Sequence, residues 1–328
     1  MEKKEDIMAI ARAFMRSRII LTAAELDVFT AIDDGYKTAT AIAEKKGFSV
    51  RPLARVLDCL VTFGHLAKKG NAYSLTEEGA GLSSRHAASS LPMVLHMNRL
   101  WETWSGLTRI VEKGPGSESE LPKVMDKESR RAFIGAMHVI GRTLSEDIAR
   151  SLDLSGFKKL LDIGCGSGTY TIAFLKNNPQ LSGVLFDLED VIAMARERLE
   201  SEGFLQRAAL AAGDFYKDEL PAGCDLALLS AIIHQNSPEQ NSDLYRKIFR
   251  ALEPGGMLVI RDHIMQESRT WPPEGALFAI NMLANTPGGD TYTLGEVEKT
   301  LRDAGFVDIR QVRSGERMDC VVTATKPN

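Results

Sequence analysis

The sequence predicts an α/β protein: a seven-stranded, mostly parallel, doubly wound sheet over residues 158–328, preceded by a mainly helical N-terminal region. Three observations carry this reading. From Leu160 onward, short apolar runs alternate with helix-length amphipathic segments, the pattern of strands joined by crossover helices. The first run, Leu160-Leu161-Asp162-Ile163, opens into Gly164-Cys165-Gly166-Ser167-Gly168-Thr169-Tyr170, which reads as a buried strand, a tight turn and a helix start. Residues 7–75 instead read as several helices followed by a hairpin.

In chain order, residues 1–85 form the first expected region. Ile7 to Ile20 is apolar with a helical period, and Ala23 to Ile32 continues so. Thr38 to Lys45 is a short helix. Ser49 to Leu66 is a longer one with Leu53, Val56, Leu57, Leu60 and Val61 on its inner face. Between Ala67 and Leu75, Gly70-Asn71 turns one short strand into another. Helices followed by a hairpin make a winged-helix pattern, which raises DNA binding. Charge argues against it: thirteen Lys/Arg face eleven Asp/Glu in residues 1–85, a net of only +2. The recognition-helix position offers Arg51 and Arg55 and little else, whereas DNA readers usually carry a basic stripe.

Residues 86–157 read as a helical connector. Leu91 to Met97, continuing through Trp101 and Trp104, is helical and rich in Met and Trp. Gly114-Pro115-Gly116-Ser117-Glu118-Ser119 is a loop, and Ser129 to Leu152 is one or two helices. His138 reads as a satisfied structural histidine, with a pocket-facing role as the alternative.

Residues 158–328 are the expected cofactor-binding domain. Leu181 to Phe186 is the second strand and ends in Asp187, nineteen residues after Gly168. Ala208 to Ala212 is the third and runs into Gly213-Asp214-Phe215-Tyr216. Asp225 to Ile233 is the fourth, ending at His234; Met257 to Ile260 is the fifth, followed by Arg261-Asp262-His263. Phe306 to Val312 and Met318 to Thr325 close the sheet as an antiparallel pair. Ser237, Pro238 and Gln240 start one helix with a capping box; Thr293 with Glu296 starts another, closed by Gly305.

The glycine spacing points to a nucleotide-like ligand, because glycines admit a close backbone approach and the helix start offers free N–H groups. Asp187, with Leu188 beside it, stands where an acid accepts hydrogen bonds from both ribose hydroxyls. Asp214 suits an exocyclic adenine amine, and Phe215 suits the ring face. No basic residue sits in the loop, as a pyrophosphate would invite. A phosphate-free adenosine cofactor fits better, which points to S-adenosylmethionine.

These residues resemble class I S-adenosylmethionine-dependent methyltransferases with a Rossmann-like sheet. More narrowly they resemble the small-molecule O-methyltransferases, a family that includes caffeic acid and hydroxyindole O-methyltransferases. The resemblance covers nearly the whole chain. It implies a homodimer built through a winged-helix dimerisation domain at 1–85, a small-molecule acceptor, and S-adenosylhomocysteine as product. Leu229-Ser230-Ala231-Ile232-Ile233-His234 resembles the stretch that carries the family's catalytic histidine, so His234 is the expected general base. Asp262 falls where the family keeps a carboxylate that orients it. Asp162, Gly164, Gly166, Gly168, Asp187, Leu188, Asp214, Phe215 and Ser230 are the expected cofactor contacts. Phe133-Ile134-Gly135-Ala136-Met137 resembles the family's stretch at the cofactor–substrate boundary. The pocket wall is expected to hold Trp101, Phe133, Met137, Phe278, Asn281, Met282 and Asn285. Three departures stand out: Gln235 replaces the acid after the histidine, Ser230 replaces a cofactor-binding lysine, and Thr291, preceded by Asp290, replaces a second flanking acid. They keep C- or N-methylation open as an alternative to O-methylation of an aromatic or polycyclic hydroxyl.

Composition excludes other classes. A net charge of −4 over 328 residues gives no sign of a general nucleic-acid or anionic-membrane binder. No apolar run reaches a membrane span, and Met1 to Asp6 is no signal peptide, so the protein is expected in the cytoplasm with reduced thiols. Cys59, Cys165, Cys224 and Cys320 show no metal-ligand spacing, and no metal is expected.

Overall fold

The computed structural model describes residues 6–114 and 127–328; the expected loop at 114–119 lies, beyond Gly114, outside the described residues. The chain divides into two compact units, Met1–Glu102 and Thr103–Asn328.

The first unit begins with α1 (Ile7–Glu25), capped by the Asp6 carboxylate accepting the Met8 N–H. Nothing between Ile20 and Ala23 breaks this helix, so it runs past the expected boundary. The break falls at Asp27, whose left-handed φ of 52° turns the chain into α2 (Val28–Asp33). Next come α3 (Ala39–Lys46), capped by the Thr38 hydroxyl, and α4 (Val50–Thr62). Strands β1 (Leu66–Lys69) and β2 (Ala72–Leu75) pair as an antiparallel hairpin, followed by α5 (Glu77–Ala80). Leu53, Leu57 and Leu60 face a core with Phe29, Ile42, Leu66 and Tyr73, while Val56 and Val61 pack at its margin. Helix α1 leaves Ile7, Met8, Ile10, Phe14 and Met15 each more than half exposed. Helix α6 (Leu91–Ser105) runs across the division between units and α7 (Leu107–Lys113) follows.

In the second unit, α7 is followed by α8 (Lys127–Ser151), a single helix where the sequence allowed one or two. Then strands and helices alternate: β3 (Lys159–Ile163), α9 (Thr169–Asn177), β4 (Ser182–Asp187), α10 (Glu189–Ser201), β5 (Ala208–Ala212), β6 (Cys224–Ser230), α11 (Pro238–Ala251) and β7 (Leu252–Asp262). A two-stranded parallel pair, β8 (Ile264–Met265) with β9 (Tyr292–Thr293), brackets α12 (Pro273–Asn285). Helix α13 (Leu294–Asp303), β10 (Val307–Arg313) and β11 (Cys320–Thr325) complete the chain. Both expected capping boxes form, Ser237 with Gln240 and Thr293 with Glu296.

Among the described residues, seven strands make one sheet in the order β10-β11-β7-β6-β3-β4-β5, with only β11 antiparallel to its neighbours. Central β3 is buried on both faces, which is why its sequence is a nearly continuous apolar run. Leu161, Ile163, Leu229 and Ile260 point to the layer holding α11 and α13; Leu160, Leu228, Val259 and Val321 point to α8 and α9.

Two strand ends differ from expectation. Strand β6 stops at Ser230 rather than Ile233. Ala231 takes a left-handed φ of 59°, its N–H bonds the Arg261 carbonyl at 2.7 Å, and the chain enters a 3-10 turn at Ile233–Gln235. His234 therefore lies on a turn beyond the strand, not at its last residue. Strand β7 is longer than expected and carries Asp262 as its final residue.

Phe174 is fully buried under the sheet. Phe174→Ala is expected to cost about 3–5 kcal/mol of unfolding free energy, read from the midpoint of a urea titration at unchanged slope.

Candidate active site

The glycine loop follows β3. Gly164, Gly166 and Gly168 have φ of 70°, 55° and 76°. A Cβ at Gly164 would lie 2.6 Å from Ile232 Cδ1, and one at Gly168 3.0 Å from Leu185 Cδ2, so both backbone strain and packing demand glycine there. The Asp187 carboxylate ties the loop to β4: one oxygen accepts the Gly166 N–H at 2.9 Å, the other the Leu188 N–H at 2.7 Å. Burial raises its carboxyl above the ordinary value, and those two N–H groups work against the rise.

Asp162 lies behind the loop, 2% exposed, with the Thr171 hydroxyl donating to it at 2.5 Å. Burial pushes this carboxyl up to about 7 despite that bond, and the Asp187 charge adds to the rise. At the end of β5, the Asp214 carboxylate accepts the Tyr216 N–H at 3.0 Å and pairs with Lys217 at 2.9 Å. Burial opposes its ionisation, but Lys217 and that N–H hold it below the usual carboxylate range. The Phe215 ring leans on the loop, 3.7 Å from where a Gly164 Cβ would stand. Lys247 secures this segment by donating to the Phe215 and Asp218 carbonyls at 2.9 and 3.0 Å. Leu188 is 40% exposed at the start of α10, and Ser230 ends β6 beside β3.

Beyond β6, His234 Nδ1 donates to both Asp262 oxygens at 2.9 and 3.0 Å. Asp262 is completely buried and also accepts the His263 N–H at 2.8 Å. Burial alone would raise this carboxyl, yet the His234 imidazole and the hydrogen bonds hold it below the ordinary value. The ionised carboxylate fixes the proton on Nδ1 and leaves Nε2 as the acceptor. Phe278 meets the His234 ring edge-on at 4.9 Å.

The peptide around His234 is clamped. The Tyr216 hydroxyl donates to Asn236 Oδ1 at 2.6 Å, Asn236 Nδ2 to Asn241 Oδ1 at 2.9 Å, and Asn241 Nδ2 to the Ile233 carbonyl at 2.9 Å. The Asp290 N–H bonds the His234 carbonyl at 2.9 Å. The two side chains at the position of the family's second acid are engaged elsewhere: Asp290 pairs with Arg269, and the buried Thr291 hydroxyl donates to the Gly275 carbonyl.

The pocket candidates divide. Phe278 lies between the rings of His234 and His263, at 4.9 and 5.0 Å. Met282 is buried on the same helix. Asn281 Oδ1 accepts Trp104 Nε1 at 3.0 Å and Asn285 Nδ2 at 3.1 Å, while Asn285 Oδ1 accepts the Thr103 hydroxyl at 2.8 Å. These bonds explain two amides on an apolar face. On α8, Ile134 covers the loop, 3.8 Å from a Gly166 Cβ position; Phe133 is half-buried and Met137 is 37% exposed. His138 Nδ1 meets the Thr169 hydroxyl at 2.9 Å, the satisfied histidine of the sequence reading. Trp101 belongs to the first unit, against Phe14 and the Arg18 guanidinium.

Sequence reasoning missed Asn236, Asn241 and His263. The amides bond to residues 20 positions upstream or within their own turn, and no periodicity flags them. His263 is adjacent to a named acid, but its burial against Phe278 depends on how α12 folds back.

A glycine loop on β3, an acid at the end of β4 and an acid–aromatic pair after β5, all on one seven-stranded sheet, define a nucleoside-cofactor methyltransferase. Comparison with known proteins gives the family. Residues 117–307 match the O-methyltransferase domain, and residues 8–84 match the O-methyltransferase dimerisation domain. The chain belongs to this family of S-adenosylmethionine-dependent O-methyltransferases. It is 28% identical to the tetracenomycin polyketide synthesis 8-O-methyltransferase of Streptomyces glaucescens, over 93% of this chain and 92% of the relative. It is 29% identical to the 3-hydroxy-5-methyl-1-naphthoate 3-O-methyltransferase of Streptomyces sahachiroi, over 93% and 90%. Human N-acetylserotonin methyltransferase, solved in complex with S-adenosylmethionine, superposes with a TM-score of 0.82 at 25% identity over the whole of both chains.

The raised Asp162 carboxyl predicts a stability that depends on pH. With a folded value near 7 against about 3.9 unfolded, the folded state holds a proton that the unfolded state releases between those values. The ligand-free protein should therefore lose on the order of 4 kcal/mol of this group's contribution as pH rises from 4 through 7. Thermal melts of wild type and Asp162→Asn across pH 5–8 check it: the falling component should vanish in the variant.

Proposed function

We propose that the protein transfers a methyl group from S-adenosylmethionine to a hydroxyl of a small aromatic or polycyclic metabolite, with His234 as general base. The buried His234–Asp262 pair beside the glycine loop carries this reading. Support for the acceptor class comes from the relatives, which act on a polyketide and a naphthoate.

The residues present fit the cofactor. The Asp187 carboxylate is held by two N–H groups beside the loop, where it can accept ribose hydroxyls, and the Phe215 ring packs against the loop at Gly164, where it can meet an adenine face. Asp162, the three loop glycines, Leu188, Asp214 and Ser230 complete the set. S-adenosylmethionine, when bound, supplies an electrophilic methyl on a good leaving group. What remains for the protein is to place the acceptor oxygen in line and take its proton. His234 Nε2 does the second, and Asp262 stabilises the imidazolium that forms. Phe133, Met137, Phe278 and Met282 offer apolar and thioether surface for a flat acceptor, with Asn281 and Asn285 as further wall positions.

A phenol has a pKa of about 10, so a positioned base contributes roughly 10²–10⁴-fold. His234→Ala should lower kcat by about that factor with little change in KM. Asp262→Asn should also lower kcat, because the imidazolium that forms loses its counter-charge. Unchanged kcat in His234→Ala would remove the base role. A second reading, transfer to carbon or nitrogen, is favoured by Gln235 and by the engagement of Asp290 with Arg269. Identifying the methylated atom by carbon-13 NMR separates the two.

Residues 8–84 further support a homodimer formed through the first unit. The exposed apolar face of α1 is the surface we assign to it. Phe14→Asp should convert a dimer to a monomer in light scattering at micromolar concentration.

A further inference from the structure

Asp262 is not the only charged group at the end of β7. Side chains alternate along a strand, so Arg261 points to the opposite face, toward α8 and α9. There its guanidinium lies 5.4 Å over the Tyr170 ring. Arg261 Nε is buried with no hydrogen bond. The Tyr170 hydroxyl is buried beside it, with the Ser230 hydroxyl as its polar neighbour. A guanidinium is always charged, and buried polar groups are almost always bonded. A buried guanidinium edge with an unfilled Nε–H, flanked by the Tyr170 and Ser230 hydroxyls, is therefore a preformed receptor for an acceptor-only group.

The surroundings agree on its charge. Ser230 and Arg313 are the other polar groups near the Tyr170 hydroxyl, with the Asp162 carboxyl beyond them. Arg313 is engaged by Asp319 at 3.7 Å. Burial raises the Tyr170 hydroxyl above its ordinary value, so it stays protonated and donates.

Sheet order supplies the occupant. Across the carboxyl ends, the sequence of strands is β5 with Asp214, β4 with Asp187, β3 with the glycine loop, β6 with Ser230 and β7 with Arg261. Neighbouring strands stand about 4.8 Å apart. A cofactor with its adenosine over β5 and β4 extends its amino-acid end toward β6 and β7. We propose that Arg261, Tyr170 and Ser230 form a carboxylate receptor, filled by the amino-acid carboxylate of the cofactor. This rests on the cofactor assignment above. The end of β7 then serves both partners of the reaction, holding the cofactor through Arg261 on one face and orienting the base through Asp262 on the other.

The test is calorimetric titration of wild type, Arg261→Met and Tyr170→Phe with S-adenosylhomocysteine and with 5′-methylthioadenosine, which lacks the amino-acid end. Arg261→Met keeps most of the packed stem and removes a buried N–H that has no acceptor, so its thermal midpoint should equal or exceed that of wild type. Arg261→Met should weaken S-adenosylhomocysteine by about 10–100-fold and Tyr170→Phe by about 3–10-fold, with 5′-methylthioadenosine unchanged within twofold in both. Equal weakening of both ligands would reduce Arg261 to a support for Tyr170 and overturn the proposal, as would unchanged affinities. A parallel titration with 1-naphthoate and 1-naphthol covers the other source of a carboxylate: selective loss of naphthoate alone would move the receptor to the acceptor and overturn the assigned occupant. If wild type binds neither adenosine compound, the cofactor assignment falls first and this one with it.

Discussion

A carboxylate with no exposed surface must have partners, and at Asp262 that requirement organises the second unit. Its oxygens are filled by the His234 imidazole and the His263 N–H, so the residues that follow β6 and β7 must meet. The sheet makes this possible because β6 and β7 are parallel neighbours in register, Ser230 beside Arg261. The left-handed turn at Ala231 then swings the chain over the sheet edge and returns His234 above the acid. A strand continuing to Ile233 would have carried the imidazole past it. The pair is more than a stabilising contact, because removing either member leaves a buried group unsatisfied.

The same logic runs on the cofactor side at lower cost. Asp187 is tied to Gly166 and Leu188, so the glycine loop is lashed to β4 while its carboxylate keeps an oriented edge. Lys247 holds the Phe215 segment, and Tyr216 reaches from that segment to Asn236, next to the catalytic turn. The loops proposed to hold adenosine and the base thus belong to one hydrogen-bonded body, and shape at one end constrains the other.

Much of this was legible in the residues. The strand–glycine–helix passage at Leu160–Leu175, the acid ending β4 and both capping boxes are local features whose chemistry acts within a few residues, and they appear in the fold where the pattern put them. Boundaries set by a single unusual backbone angle were not legible: alanine, as at 231, ordinarily avoids positive φ, and aspartate, as at 27, is enriched there yet adopts it at only a small minority of positions. Asn281 and Asn285 invited a ligand in the sequence because buried amides need partners. The partners turned out to be Trp104 and Thr103, more than half the chain length away.

What the sequence determined by itself was the inventory: an α/β sheet, a nucleoside-type loop, an acid for each strand end, a histidine beyond β6. Period and spacing encode these because secondary structure and turns are local. What only the tertiary structure decided was which of those groups share an environment. Arg261 and Asp262 are adjacent in sequence, yet one faces an aromatic ring and the other a histidine, because a pleated strand sends consecutive side chains to opposite layers and the layers are filled by distant helices.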